Sequence, residues 1–328
     1  MEPKVSVIVC TYNQEDTIGA ALDSILAQQT DFDFEIVVAD DASADRTPDI
    51  CRDYAGRYPH RVRAILNNEN KGVADNYFCT LYECRGRYIA DLAGDDVWLD
   101  TGKLARQAAI LDADPSVVLV HSAWRFLLPD GSLKEPDRHA VPAESSVSDG
   151  AALLMPLFQH SNDKYFIHLC ASMYRRDTAI ALSQKYSDFF FGRELPCEDY
   201  QLEVLMAANG RIASEPSVVL GYRTGHASVS SEEDPAKSAV FAARIARLTC
   251  RLADELCFDK SLLAGYFSRQ MLFAIAQAFA SGNRHARAEV DAAVDCTKPE
   301  LPRRARAALM LMKIPPVWWV ARTIYKLK

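Results

Sequence analysis

The chain has 328 residues, 49% hydrophobic and 25% charged. That composition is globular and excludes a disordered, collagenous or disulfide-stapled miniprotein. Lys plus Arg number 37 and Asp plus Glu 44, a net charge of −7, which argues against a basic nucleic-acid binder. The charge is uneven: residues 1–100 carry 19 acids and 9 basic residues, whereas residues 301–328 carry seven basic residues and no acid. The nine cysteines include no CxxC pair. A reduced, cytoplasmic setting is expected, and neither a disulfide framework nor a zinc site is supported. The apolar run after Lys4 is too short for a signal peptide, and no run approaches the roughly 18 residues of a membrane span. A soluble chain, or one held at a membrane surface, is expected.

The first hundred residues alternate strand and helix signals. Residues 5–10 form a β-rich run of the kind buried on both faces of a sheet. Residues 17–29 place Ile18, Ala21, Leu22, Ile25 and Leu26 on one helical stripe. A strand over 34–39, a helix over 47–58 with Pro48 in its first turn, and a strand over 61–66 follow. A helix over 73–84 and a strand over 88–92 complete the pattern. This alternation predicts βαβ units and a mostly parallel sheet flanked by helices. Further on, helices are expected over 102–112 and 196–209, and strands over 115–120 and 217–222. Residues 129–150, rich in Pro, Ser, Asp and Gly, read as a flexible loop. From Pro235 to about residue 294 the pattern is helical and alanine-rich.

Polar clusters follow the strands: Thr11-Tyr12-Asn13 the first, Asp40-Asp41 the second, Asp95-Asp96 the fourth. Ligands of such sheets bind beyond the carboxyl ends of the strands, so clusters at equivalent ends converge on one site. Carboxylates with phosphate oxygens suit Mg²⁺ or Mn²⁺, and no His/Cys cluster competes for a softer metal. No glycine-rich loop follows the first strand, which disfavours a dehydrogenase or a sugar nucleotidyltransferase.

The stretches VSVIVCTYNQEDTIGAALDSILAQ, EIVVADDASADRT and NENKGVADNYFCTLYECRGRYIADLAGDDVWLDTGKL together resemble glycosyltransferase family 2. Ser172-Met173-Tyr174-Arg175-Arg176 resembles the family's acceptor-side strand. Glu198-Asp199 resembles its "ED" motif at a helix start, and Leu220-Gly221-Tyr222-Arg223 its late strand ending in Tyr-Arg. The resemblance implies a GT-A-like domain over 1–230, with a nucleotide-sugar half (1–100) and an acceptor half (101–230), and a helical extension over 235–328. It implies an inverting transfer of sugar from a nucleotide diphosphate sugar to a saccharide or lipid-linked saccharide in cell-surface polysaccharide synthesis. By the same resemblance, Thr11, Tyr12 and Glu15 line the nucleoside pocket, and Asp40 and Asp41 contact base and ribose. Asp95 meets the donor and, with Asp96, the divalent metal. Asp199 is the general base, with Glu198 beside it.

Three positions depart from the family pattern. Ala93 replaces the first acid of the metal motif, which leaves a nucleotide-sugar-binding module of weak or no activity as the alternative. Ala42 stands where glycine is common. His226 follows Arg223 by three positions rather than two; it either completes the metal shell or is a loop histidine. Other residues have two readings each. His168 is structural or faces the acceptor; Arg175 and Arg223 bind phosphate or surface acids; Trp98 walls a sugar pocket or fills core. Asn70 and Asn76 read as structural. In the tail, basic residues interleave with Trp318, Trp319, Tyr325 and aliphatics. This suits an anionic membrane surface or a helix packed by its Trp-rich face.

Overall fold

The computed structural model describes residues 2–135, 144–159, 167–225 and 234–326. The chain separates into two compact units, residues 1–225 and 226–328. In the first, the βαβ run is built from β1 (Val5–Thr11), α1 (Ile18–Leu26), β2 (Phe34–Asp40), α2 (Thr47–Arg57), β3 (Val62–Leu66), α3 (Val73–Glu83) and β4 (Tyr88–Ala93). Then come β5 (Val97–Trp98), α4 (Lys103–Ala113), β6 (Val117–Leu127), β7 (Leu133–Lys134), β8 (Ser146–Asp149) and α5 (Leu154–Phe158). The unit ends with β9 (Ser172–Arg175), α6 (Arg176–Lys185), α7 (Asp199–Ala208) and β10 (Arg211–Arg223).

The apolar runs are strands because both faces are covered: all seven residues of β2 are buried, and six of seven in β1. α1 turns Ile18, Ala21, Leu22 and Ile25 onto this sheet, as its stripe predicts. The sheet runs β3-β2-β1-β4-β9-β6-β10-β5, with β7 on β6 and β8 on β10. Pairing is parallel from β3 to β4 and between β6 and β10. β9 runs antiparallel to both β4 and β6 and so joins the two parallel parts.

Several boundaries differ from expectation. β6 continues seven residues past 120, because its polar His121 and Ser122 are buried rather than solvated. Ser122 donates to Glu215 (2.8 Å) and accepts from Gln107 (2.8 Å). β10 begins at Arg211, six residues early, and carries Pro216 where its pairing with β6 shifts register, which is where a strand tolerates proline. The supposed loop 129–150 contributes β7 and β8, both largely exposed. Ala42 adopts φ 60°, a left-handed conformation costing an alanine roughly 1 kcal/mol over glycine.

The second unit holds α8 (Pro235–Glu255), α9 (Ala264–Ser281), α10 (Arg284–Thr297), α11 (Arg303–Met312) and α12 (Pro315–Lys326). Asp234 caps α8 through the Ala236 amide, with Pro235 at the first turn. Gly282, at φ 70°, ends α9, and Asn283 then caps α10. The core is small: Ala239, Ala242, Ala243, Ala246, Ala274 and Ala278 let the helices approach closely around Met271, Ile275 and Val290. No described helix is long and apolar enough to cross a membrane.

Candidate active site

Strand register brings the polar clusters together. Thr11 at the end of β1 pairs with Asp40 of β2, and Cys10 pairs with Ala93 at the end of β4. The loops after β1 and β2 are stitched: Asn13 N–H donates to Ser43 Oγ (2.8 Å), and Ala44 N–H to Asn13 Oδ1 (2.8 Å). Gln14 N–H donates to Thr47 Oγ1 (2.8 Å), and Arg46 N–H to Glu15 Oε2 (3.0 Å). Glu15 therefore braces one loop against the other. Thr11 is buried, and Tyr12 is 50% exposed above it.

The two strand-end aspartates are engaged by their own loops. Asp40 accepts from the Ser43 amide (3.1 Å) and hydroxyl (2.5 Å). Asp41 accepts from the amides of Lys71 (2.8 Å) and Gly72 (3.0 Å), which fixes the entry to α3. Asn70 and Asn76 hold the backbone of the same region, through the carbonyls of Asp41 (3.2 Å) and Ala39 (3.2 Å).

After β4 the chain turns through Gly94, where a Cβ would sit 2.8 Å from Thr11 Oγ1 and 2.9 Å from Thr11 Cβ. Only glycine lets the Asp95-Asp96 turn lie this close to the β1 loop. β5 then pairs with β10, Gly221 against Val97, which brings Arg223 to the aspartates. Arg223 N–H donates to Asp96 Oδ1 (2.8 Å) and its Nε to the Asp95 carbonyl (2.8 Å). Arg223 thus positions this turn. Asp96 is buried, and its Oδ2 has no hydrogen-bond partner among the described residues. Burial and then the adjacent Asp95 push its carboxyl well above the usual range. Asp95 is half-buried.

Glu198 and Asp199 open α7, where a carboxylate gains from the helix N-terminus. Asp199 accepts from the Tyr200 amide (2.7 Å). Burial, then Asp199 and Asp91, push Glu198 up to about 8. The same carboxylate acts on Cys10 in β1 and on Cys170 before β9. Glu198, the residue before α7, thus lies within Coulombic range of Cys10 in β1 and Asp91 in β4. Between the usual carboxyl value and about 8 the folded chain holds a Glu198 proton that the unfolded chain has lost, so stability falls as pH rises through that window. Glu198→Gln removes this loss. Its melting temperature is expected to match the wild type near pH 4, about the ordinary carboxyl value, and to exceed it increasingly toward pH 8. A constant difference across the titration would contradict the placement of Glu198.

Beneath this surface lies a network that sequence reasoning did not foresee. Asp91 accepts from Tyr77 Oη (2.6 Å), which also bonds Tyr174 Oη. Burial pushes Asp91 up to about 7, opposed by Tyr77 and Lys103. Lys103 is fully buried; its Nζ donates to the Ser172 carbonyl (2.9 Å) and lies 4.2 Å from the Trp98 ring centre. Burial pulls it down to about 7, opposed by Asp91. These groups span separate elements, and no local motif announces them.

Two of the two-way readings, Trp98 and Arg175, resolve. Trp98 is core, its indole N–H bonded to the Cys170 carbonyl (2.9 Å). Arg175 donates to the carbonyls of Val117, Leu111 and Asp114, so it is structural. The His168 ring packs edge-on against Trp124 and Tyr222. His226 lies outside the described residues. Among those residues no three acidic, His or Cys side chains gather into a metal cage. Two adjacent carboxylates, one with a buried unpartnered oxygen, still fit a Mg²⁺- or Mn²⁺-type site completed by substrate phosphates.

The glycosyl transferase family 2 model matches residues 6–179. The uncharacterized protein Rv1520 of Mycobacterium tuberculosis is 35% identical over 219 residues, 67% of this chain and 58% of that protein. The Escherichia coli UDP-Glc:alpha-D-GlcNAc-diphosphoundecaprenol beta-1,3-glucosyltransferase WfaP is 39% identical over 110 residues, 34% of this chain and 42% of that enzyme. The chain thus spans little more than half of its longer-matching curated relatives. Staphylococcus aureus TarS bound to UDP-GlcNAc superposes with TM-score 0.65 at 20% identity, covering 99% of this chain and 92% of that one. The mannosyltransferase PcManGT of Pyrobaculum calidifontis, in complex with GDP-Man and Mn²⁺, gives 0.55 at 20% identity, over 98% and 88%. These likenesses show a GT-A glycosyltransferase fold, and with the family match over more than half its length the chain belongs to glycosyl transferase family 2.

Proposed function

We propose that the chain is an inverting glycosyltransferase that moves a sugar from a nucleotide diphosphate sugar to a saccharide or lipid-linked saccharide of a cell-surface polysaccharide. The observation that supports this reading is the close approach of the Gly94-Asp95-Asp96 turn to the β1 loop at one end of the sheet, with Arg223 gripping the turn. Thr11 and the exposed Tyr12 would receive the nucleoside, with Asp40 and Asp41 holding the loops that frame it and contacting base and ribose at the pocket edge. Asp95, with Asp96, would hold Mn²⁺ or Mg²⁺. Such an ion supplies charge neutralisation for the departing diphosphate. Glu198 keeps its proton at neutral pH, which leaves Asp199 to take the acceptor hydroxyl's proton as it attacks the anomeric carbon. One displacement with no protein nucleophile inverts that carbon.

The relatives support the substrate class: WfaP's name includes a diphosphoundecaprenol-linked acceptor, and TarS is seen with UDP-GlcNAc. A lipid-linked acceptor also fits a cytoplasmic protein in peripheral contact with the membrane. The test is a thermal-shift screen of nucleotide diphosphates and their sugars, with and without Mn²⁺. The donor should raise the melting temperature by mass action, and more so with metal. Ala93 favours a second reading, a binding module without turnover. That module would show the same thermal shift but no release of nucleoside diphosphate.

A further inference from the structure

The tail, read from sequence as either packed or membrane-bound, packs by one face and leaves the opposite face exposed. On α12, Trp318 is 4% exposed, and its indole N–H donates to the Phe279 carbonyl of α9 (3.1 Å). Arg322 Nε donates to the Ala280 carbonyl (2.7 Å), so this side is fixed to the helical unit. The outward side is apolar. Trp319 is 68% exposed, Val320 51% and Val317 41%, and the preceding Ile314 and Met310 reach 53% and 68%. Exposed Arg303, Arg304 and Arg306 at the start of α11, and Lys313 between the helices, flank this surface. No acid lies anywhere in residues 301–328.

Apolar side chains with an interfacial tryptophan, ringed by cations and free of anions, complement an anionic lipid surface. A second copy of the chain is a poorer occupant, because two such faces would set arginines against arginines with no carboxylate between them. We propose that the outward face of α11 and α12 docks on an anionic bilayer, with Trp319, Val320, Val317 and Ile314 at the headgroup boundary and Arg303, Arg304 and Arg306 on its phosphates. This deepens the peripheral-membrane part of the proposed function and is independent of its chemistry.

The test is co-sedimentation of the full chain with vesicles of phosphatidylcholine, alone or mixed with phosphatidylglycerol. Wild type is expected to pellet with the mixed vesicles and not with phosphatidylcholine alone. The exposed pair Trp319→Ser/Val320→Ser should lower partitioning at least roughly tenfold. Arg303→Gln/Arg304→Gln/Arg306→Gln should lower it roughly a hundredfold at low salt, with a weaker salt dependence. Both variants should keep the wild-type melting temperature. Equal partitioning of all three proteins would overturn the proposal, as would a dimer in sedimentation equilibrium that the same substitutions dissolve. Nucleotide-sugar thermal shifts on the same samples separate the two claims: loss of vesicle binding with shifts intact removes only the docking face.

Discussion

Asp199→Asn is expected to reduce sugar transfer roughly 10³-fold, about 4 kcal/mol of barrier, while the donor still binds. The amide is nearly isosteric, and it can still accept the Tyr200 amide hydrogen bond that seats Asp199 in the first turn of α7. What it cannot do is take a proton. The neighbour substitutes poorly, because burial, the first cause of Glu198's raised carboxyl, persists in the variant even though the Asp199 charge is gone. Steady-state turnover and donor thermal shift, measured together, check this. Wild-type turnover in Asp199→Asn would refute the base assignment, and loss of the thermal shift as well would mean that the residue supports the donor pocket rather than the chemistry.

The second large effect is expected at Asp95. Asp95→Asn removes the half-exposed charge of the Gly94-Asp95-Asp96 turn and spares its architecture, since Arg223 grips this turn through the Asp95 carbonyl and the Asp96 carboxylate. Metal-dependent activity should fall by several kcal/mol, roughly 10²–10³-fold. The added stabilisation that Mn²⁺ gives the nucleotide complex should vanish, and the stability of the free protein should stay within about 1 kcal/mol of wild type. Because Ala93 supplies no acid, Asp95 has little support in the motif, so its loss should cost more here than partial rescue by a neighbour would allow. An unchanged Mn²⁺ increment would exclude Asp95 from the metal site.

The first hundred residues were legible in the sequence because physical signals coincide there. β1, β2 and β4 are mostly apolar runs, each with one internal polar residue, that end where polar residues begin, so their boundaries fall within a residue of expectation. Residues 101–230 hide their strands. β6 looks finished at Val120 because His121 and Ser122 are polar, yet the Gln107–Ser122–Glu215 chain satisfies that region inside the core. β10 looks interrupted at Pro216, but a register shift absorbs the proline. Motif reading singled out Asp95, Asp96, Glu198 and Asp199. It missed what holds them: the glycine at 94 that no Cβ could replace, the main-chain and guanidinium grip of Arg223, and the buried Lys103 beside Asp91. Those are long-range pairings, and a single sequence carries no local pattern for them. The acidic front of the chain likewise divides once it is folded. Asp40 and Asp41 secure loops, Asp91 is locked under the surface, and Asp95 is half-buried at the turn after β4.

The central claim, that these loops form a site for sugar transfer, is tested most directly by turnover. The measurement is release of nucleoside diphosphate from the donor that most stabilises the protein, followed with Mn²⁺ and again with chelator. The account predicts continuous release with Mn²⁺ that stops on chelation and is absent in Asp199→Asn. Tight donor binding with no release under any metal condition would contradict it and leave a nucleotide-sugar-binding module in its place.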